Sequence, residues 1–314
     1  MKITKFKNID EEKVYYESML ESFLSDLNEY SYLSGSEGRV FFVNDEFVVK
    51  EYYFHNYIDD ETFESYCEEI KSFAEQGLSV PKIYAWTKFK QEYHLTPRFY
   101  ILEERVKGKH LFYEIADLYP RLKDRMTPEE FHKGIYDSQN NKELYSKILI
   151  EYLNSINDNL SEIANMSDEN VEKFVTSLYE LYTTCNYSYP DLYEENILFD
   201  GKKFIFIDQH MRTSLVSPEN EEDAKTNIII DFFILFERLY SAIYITRCLD
   251  INLQQRVDKA KSLIEENKYN IALKFSKKIK SVLAPMSAKM FFNPTKHFLG
   301  EKRAKQIVEE LEKM

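Results

Sequence analysis

One aspartate–glycine pair, Asp200-Gly201, does most to restrict how the second half of this chain can fold. It stands between two β-type runs, Asn196-Ile-Leu-Phe199 and Phe204-Ile-Phe-Ile-Asp208, in a stretch that is otherwise helical in pattern. Asp-Gly flanked in this way is among the strongest short signals for a two-residue hairpin. With the turn at Asp200-Gly201, residue 199 opposes 202, 197 opposes 204 and 196 opposes 205. The chain entering the hairpin and the chain leaving it then meet at the open end. That brings Asn196 near Asp208, with Asp191 in the preceding loop, and a set of oxygen donors suits a hard cation such as magnesium.

The remaining patterns divide the chain near residue 105. Residues 10–28 space Leu20, Phe23, Leu24 and Leu27 as an amphipathic helix beginning near Asp10. Two β-rich runs follow, joined by a two-residue turn at Asn44-Asp45. Residues 60–76 put Phe63, Tyr66, Cys67, Ile70, Phe73 and Ala74 on one helical face, ended near Gly77. Strand-like runs recur at 82–87 and 98–104. From about Leu111 the pattern is helical, with at least two helices in 142–184 broken around Asn165–Asp168 and further helix from about Asp223 to the end. The expected class is α+β: a small β-rich part over 1–105 with one inserted helix, and a larger, mainly helical part over 106–314 that holds the hairpin. Two such parts create a cleft, and clefts between domains are common ligand sites.

Composition narrows the function classes. The chain has 314 residues, of which 44% are hydrophobic and 30% charged, enough for a large core or two lobes in a soluble globular protein. A formal net charge of −13 argues against a broad nucleic-acid footprint. The cysteines Cys67, Cys185 and Cys248 are far apart and form no metal-ligand spacing, which fits a reducing compartment. The N-terminal residues lack the apolar stretch of a signal peptide. The longest apolar run, Ile228–Phe236, is broken by Asp231 and is too short to span a bilayer. The expectation is a cytoplasmic protein. The 24 tyrosines and 23 phenylalanines read as core and half-buried surface.

Several residues carry candidate chemistry. In this glycine-poor chain, Gly35-Ser36-Glu37-Gly38 precedes a strand, where glycine lets backbone N–H groups approach phosphate oxygens. Lys50 ends the apolar strand Phe47-Val-Val-Lys50, which suits an ammonium aimed into a cleft. A buried lysine needs an opposite charge to stay ionised. Of the carboxylates on the helix at 60–76, Glu68 adjoins the apolar stripe and is the chosen partner, with Glu69 next. A further strand, Phe99-Tyr-Ile-Leu102-Glu103-Glu104-Arg105, runs into charged residues and then Gly108. Downstream, Tyr189-Pro190-Asp191 leads to Asn196 five residues later, and then to Asp208.

Taken in order, these segments resemble the protein-kinase-like superfamily, most closely the aminoglycoside phosphotransferase and choline kinase type. Asp191 to Asn196 is similar to the catalytic loop, and Ile207-Asp208 to the later metal motif. The resemblance spans about residues 30–210 and implies a two-lobed fold with ATP, or alternatively GTP, and Mg2+ as ligands. It implies Asp191 as catalytic base, and Asn196 and Asp208 as metal ligands. Gly35, Ser36 and Gly38 would then form the phosphate loop, Lys50 would hold the α- and β-phosphates, and Glu68 would be its helix partner. Leu102, Glu103, Glu104 and Arg105 would be the hinge whose backbone binds adenine.

The sequence also departs from that pattern. Tyr189 stands where the family has histidine, Pro190 replaces the arginine of protein kinases, and Gln209-His210 follows Asp208 in place of Phe-Gly. The implied activity is phosphoryl transfer to a hydroxyl of a small molecule. Glu194 and Glu195 beside the loop would suit a cationic one. Two alternatives share the fold: an atypical protein kinase or nucleotidyl-transferring enzyme, and a pseudokinase binding module. Nothing in the sequence specifies an oligomeric state.

Overall fold

A computed structural model describes residues 9–34, 38–53, 59–89, 98–110, 119–185, 188–190, 196–211, 225–230, 232–233 and 251–314, with the backbone alone at 9–10, 110, 188–190, 209–211 and 251–253. The β-type runs of the first hundred residues form one antiparallel sheet in the order β1-β2-β3-β5-β4. Its strands are β1 (Tyr32–Ser34), β2 (Gly38–Phe42), β3 (Phe47–Tyr52), β4 (Ile83–Phe89) and β5 (Arg98–Glu104). All six residues of β3 are buried, because both faces of the sheet are covered. On one face, Leu20, Phe23, Leu24 and Leu27, from helix α1 (Ile9–Ser25) and the turn after it, pack with Phe41, Phe47, Val49, Tyr100 and Leu102. On the other, helix α2 (Asp60–Glu75) stacks Phe63 on Phe99, ring centroids 4.2 Å apart. Each fully buried leucine or phenylalanine contributes about 1.5–3 kcal/mol. The expected small lobe carried one inserted helix, α2. Helix α1, expected only as a segment ahead of the strands, closes the opposite face.

Both predicted hairpin turns are displaced, for the same physical reason. The Val43 N–H donates to the Phe47 carbonyl, so the first loop is Asn44-Asp45-Glu46 and not two residues. Asn44 Oδ1 accepts from the N–H groups of Glu46 and Phe47 and holds the longer loop. In the second, the Asp200 N–H donates to the Lys203 carbonyl, and Asp200 Oδ1 accepts from the N–H groups of Lys202 and Lys203. The central residues are therefore Gly201 and Lys202, with Gly201 at φ +91°, where glycine is favoured. Phe199 and Phe204 flank this turn, where the sequence predicts 199 opposite 202.

The chain forms two compact units: Met1–Lys107 with Glu180–Asp191 and Ile205–Glu219, and Gly108–Tyr179 with Leu192–Phe204 and Asn220–Met314. The first division falls two residues from the expected boundary at 105. The segments around residues 188–190 and 205–211 nevertheless group with the sheet unit, although the sequence assigns them to the helical part. One tie is the Phe206 N–H, which donates to the Ser79 carbonyl at 2.8 Å.

The second unit is mainly helical. It holds α3 (Tyr119–Leu122), α4 (Pro128–Tyr136), α5 (Lys142–Ala164), most of α6 (Asp168–Thr183), the long helix Ile251–Val282, and helices Phe292–Leu299 and Glu301–Glu312. In this unit β6 (Lys109–His110) pairs with β8 (Ile197–Phe199), and β9 (Phe204–Phe206) begins there at Phe204. Its core is aromatic: Phe174 lies 4.8 Å from Phe204 and 5.8 Å from Phe275, and Phe275 stacks on Phe232 at 4.8 Å. Among the described residues no helix is long and apolar enough to cross a membrane.

A charge network missed at the sequence level lies on the α1-facing side of the sheet. Glu51, directly opposite Arg39 and Tyr100, is fully buried. It accepts two hydrogen bonds from Arg39, one from Arg98 at 2.7 Å and one from the Tyr100 hydroxyl at 2.8 Å. Burial works to raise the Glu51 carboxyl pKa, but the bonds from Arg39, Arg98 and Tyr100 outweigh it and hold it below the usual range.

Two stability predictions follow from the sheet. A Cβ at Gly38 would lie 1.9 Å from the Glu51 carbonyl oxygen, so Gly38→Ala is expected to cost about 1–3 kcal/mol, read as a lower denaturation midpoint. Glu51→Gln is expected to cost about 3 kcal/mol at neutral pH, because the half-buried guanidinium groups of Arg39 and Arg98 lose a fully buried counterion. Glu51's contribution is full above its ordinary pKa of 4.5 and is lost as pH falls through the lower folded-state value. Acid titration of stability should therefore be flatter in Glu51→Gln than in the wild type.

Candidate functional site

Alternation along β3 turns Val48, Lys50 and Tyr52 toward α2 and away from the Glu51 network. Lys50 sits at the centre of a buried polar cluster in the sheet unit. Its Nζ lies 3.1 Å from Glu103 Oε1 and 3.7 Å from Asp208 Oδ1, and it also donates to the Ile207 carbonyl. Lys50 and Glu103 are only 9% and 7% exposed, whereas the Asp208 side chain is 45% exposed and open to solvent. Burial opposes the Lys50 charge, but Glu103 first and Asp208 second outweigh it and hold its pKa above the ordinary value. Burial pushes the Glu103 carboxyl up, and Lys50 offsets only part of that rise. Formally, one ammonium faces two carboxylates.

The wall behind this cluster is supplied by Tyr52 and by Tyr66 and Cys67 of α2. Burial above all pushes both phenols well above the ordinary tyrosine range, and the nearby charges of Asp208 and Glu103 add to it. The two hydroxyls share a hydrogen bond. Burial likewise drives the Cys67 thiol well up, so it is not a ready nucleophile.

Two sequence assignments are corrected here. Glu68 is exposed and makes no ion pair with Lys50, because the buried stripe of α2 is Phe63, Tyr66, Cys67, Ile70 and Phe73, one position away. The partner is Glu103, which the sequence read only as hinge backbone. That hinge is itself largely committed. Leu102 and Glu103 are paired on both sides within β5, the Glu104 N–H donates to the Lys82 carbonyl and the Arg105 N–H to the Glu46 carbonyl. The Glu104 and Arg105 N–H groups are therefore not free for an adenine. Glu103 was missed because alternation along β5 gives its facing side only once the β3 register is known.

The other candidates are placed as follows. Gly38 opens β2, where its lack of a side chain is required by the neighbouring backbone of β3. Gly35, Ser36 and Asp191 lie outside the described residues, as do Glu194 and Glu195. Asn196 is half-buried and directly precedes β8 in the helical unit. A two-stranded pairing of β7 (Ser188–Pro190) with β10 (Gln209–Met211) sets Tyr189 opposite His210 and Pro190 opposite Gln209. Among the described residues no three His, Cys, Asp or Glu side chains converge as a metal cluster. A cavity of about 380 Å³ in the helical unit, lined by Ile230, Phe233, Met290 and His297 among others, contains none of the residues singled out from sequence.

No protein-family model matches the chain, and no curated protein matches it. Among solved structures it is similar to the crystal structure of WbdD, at 15% identity and a TM-score of 0.33, over 76% of this chain and 45% of that one. The chain thus spans less than half the length of that protein, and a similarity of this size defines neither fold nor chemistry.

Proposed function

We propose that this chain has a two-lobed protein-kinase-like fold, binds ATP with magnesium, and transfers the γ-phosphate to a hydroxyl of a small molecule. The observation that carries this reading is the meeting of Lys50 with Asp208 at 3.7 Å. The two residues come from separate motifs far apart in the chain, and phosphoryl transfer requires both a phosphate-binding cation and a metal-binding carboxylate. The donor set fits a hard divalent cation: Asp208 presents an accessible oxygen, and the cluster carries a formal surplus of one negative charge. Asp208 and Asn196 would hold magnesium, which would neutralise the charge of the triphosphate.

Lys50 would bind the α- and β-phosphates, exchanging its contact with Asp208 for phosphate oxygens. Asp191 would orient the acceptor hydroxyl and accept its proton. GTP is the alternative nucleotide.

A second reading, a binding module without turnover, is favoured by one observation. The Lys50 ammonium already has Glu103, Asp208 and the Ile207 carbonyl as partners. A nucleotide must displace some of them.

Thermal unfolding with and without nucleotide and magnesium separates the two readings. A ligand at about 100 times its Kd stabilises the folded state by about 2.7 kcal/mol. The expected result is a magnesium-dependent rise in Tm with ATP that is lost in Asp208→Asn, with Asp191→Asn retaining binding and losing turnover. No rise at millimolar nucleotide would contradict the enzymatic reading.

A further inference from the structure

We propose that Glu103 of β5, and no carboxylate of α2, is the positioning residue that aims Lys50, so that the lysine's geometry is built into the sheet. The inference rests on the nucleotide-binding reading of the site for its function, but the pairing itself can be tested without nucleotide.

The register of β3 on β5 sets Lys50 opposite Ile101 and Val48 opposite Glu103. Lys50 and Glu103 are therefore diagonal neighbours on the same face, a separation that long side chains span. Both strands are interior. β3 is paired with β2 and β5, and β5 with β3 and β4. The distance between the two residues cannot change without breaking ladders on both sides. Both side chains are buried, so each is the other's main compensation for leaving water.

Helix α2 offers no substitute. Of its carboxylates, Asp60, Glu61, Glu64, Glu68 and Glu75 are exposed and Glu69 is half-buried, while the stripe facing the sheet is aromatic, aliphatic and thiol. A lysine paired with a helix loses its partner when that helix shifts. A lysine paired with the next strand but for one diagonal step keeps it as long as the sheet is folded. The Lys50–Glu103 pair is thus assembled when the sheet folds.

The test compares Glu103→Gln, Glu103→Asp, Glu68→Gln and Glu69→Gln in the full chain. Two readouts are used: the rate at which an amine-reactive acylating ester labels Lys50 without nucleotide, followed by peptide mass spectrometry, and the Kd for MgATP. Glu103→Gln is expected to speed Lys50 labelling and to weaken MgATP binding, each by about tenfold or more. Glu103→Asp, which keeps the charge, is expected to restore part of both, which a loss of folding would not. The two helix variants are expected to stay within about twofold of wild type in labelling. Unchanged labelling in Glu103→Gln, or accelerated labelling in Glu68→Gln or Glu69→Gln, would overturn the proposal. If the wild type binds no MgATP while labelling still follows Glu103, the nucleotide reading fails and the pairing stands.

Discussion

The charge on Lys50 is the constraint on which the candidate site depends. An ammonium held in the middle of a covered sheet persists only with counterions at hand, since an isolated buried charge would neutralise. Glu103 supplies one from the neighbouring strand. Asp208 supplies another, and the Ile207 carbonyl a hydrogen-bond acceptor, from a segment more than a hundred residues further on. That demand, together with the Phe206–Ser79 backbone bond, helps explain why residues 205–211 group with the sheet and not with the helices that surround them in sequence.

Consecutive residues of β3 pose opposite electrostatic problems on opposite faces. Lys50 turns toward α2 and meets two carboxylates. Glu51 turns toward α1 and meets two guanidinium groups and a phenol. A slip of one residue would drive Lys50 among Phe41, Tyr100 and Leu102 of the neighbouring strands and strand Glu51 beside Glu103. The two networks therefore specify the register of the central strands more tightly than the apolar residues alone, most of which would tolerate exchange between faces. Whatever their net worth in stability, they determine which residues face the site.

Much of this was legible in the sequence because it is local. Helical spacing marked α1, α2, α5 and α6, and the Gly77 and Asn165–Asp168 breaks fell where helices end. Lys50 and Asp208 stood out because each follows an apolar run and falls in order with the glycine-rich segment and the 191–196 loop. What was not legible depended on side chains acting at a distance. Asn44 and Asp200 lengthen or shift their turns by accepting backbone N–H groups, and the dipeptide signal carries no record of that. Glu68 and Cys67 differ by one step around a helix, so counting along the chain selected the exposed neighbour of the buried stripe. Glu51 gains its role only when strand pairing brings Arg39, Arg98 and Tyr100 around it. The strands β7 and β10, three residues each, are too short for a periodicity to show.

The most direct test of the central claim is a crystal structure of the protein grown with manganese and a non-hydrolysable ATP analogue, the metal being located by its anomalous scattering. The account predicts manganese on the Asp208 carboxylate and phosphate oxygens in place of Asp208 beside the Lys50 ammonium, with Glu103 still paired to Lys50. Nucleotide bound elsewhere, or none bound with Lys50 still closed on Asp208 and the Ile207 carbonyl, would contradict it.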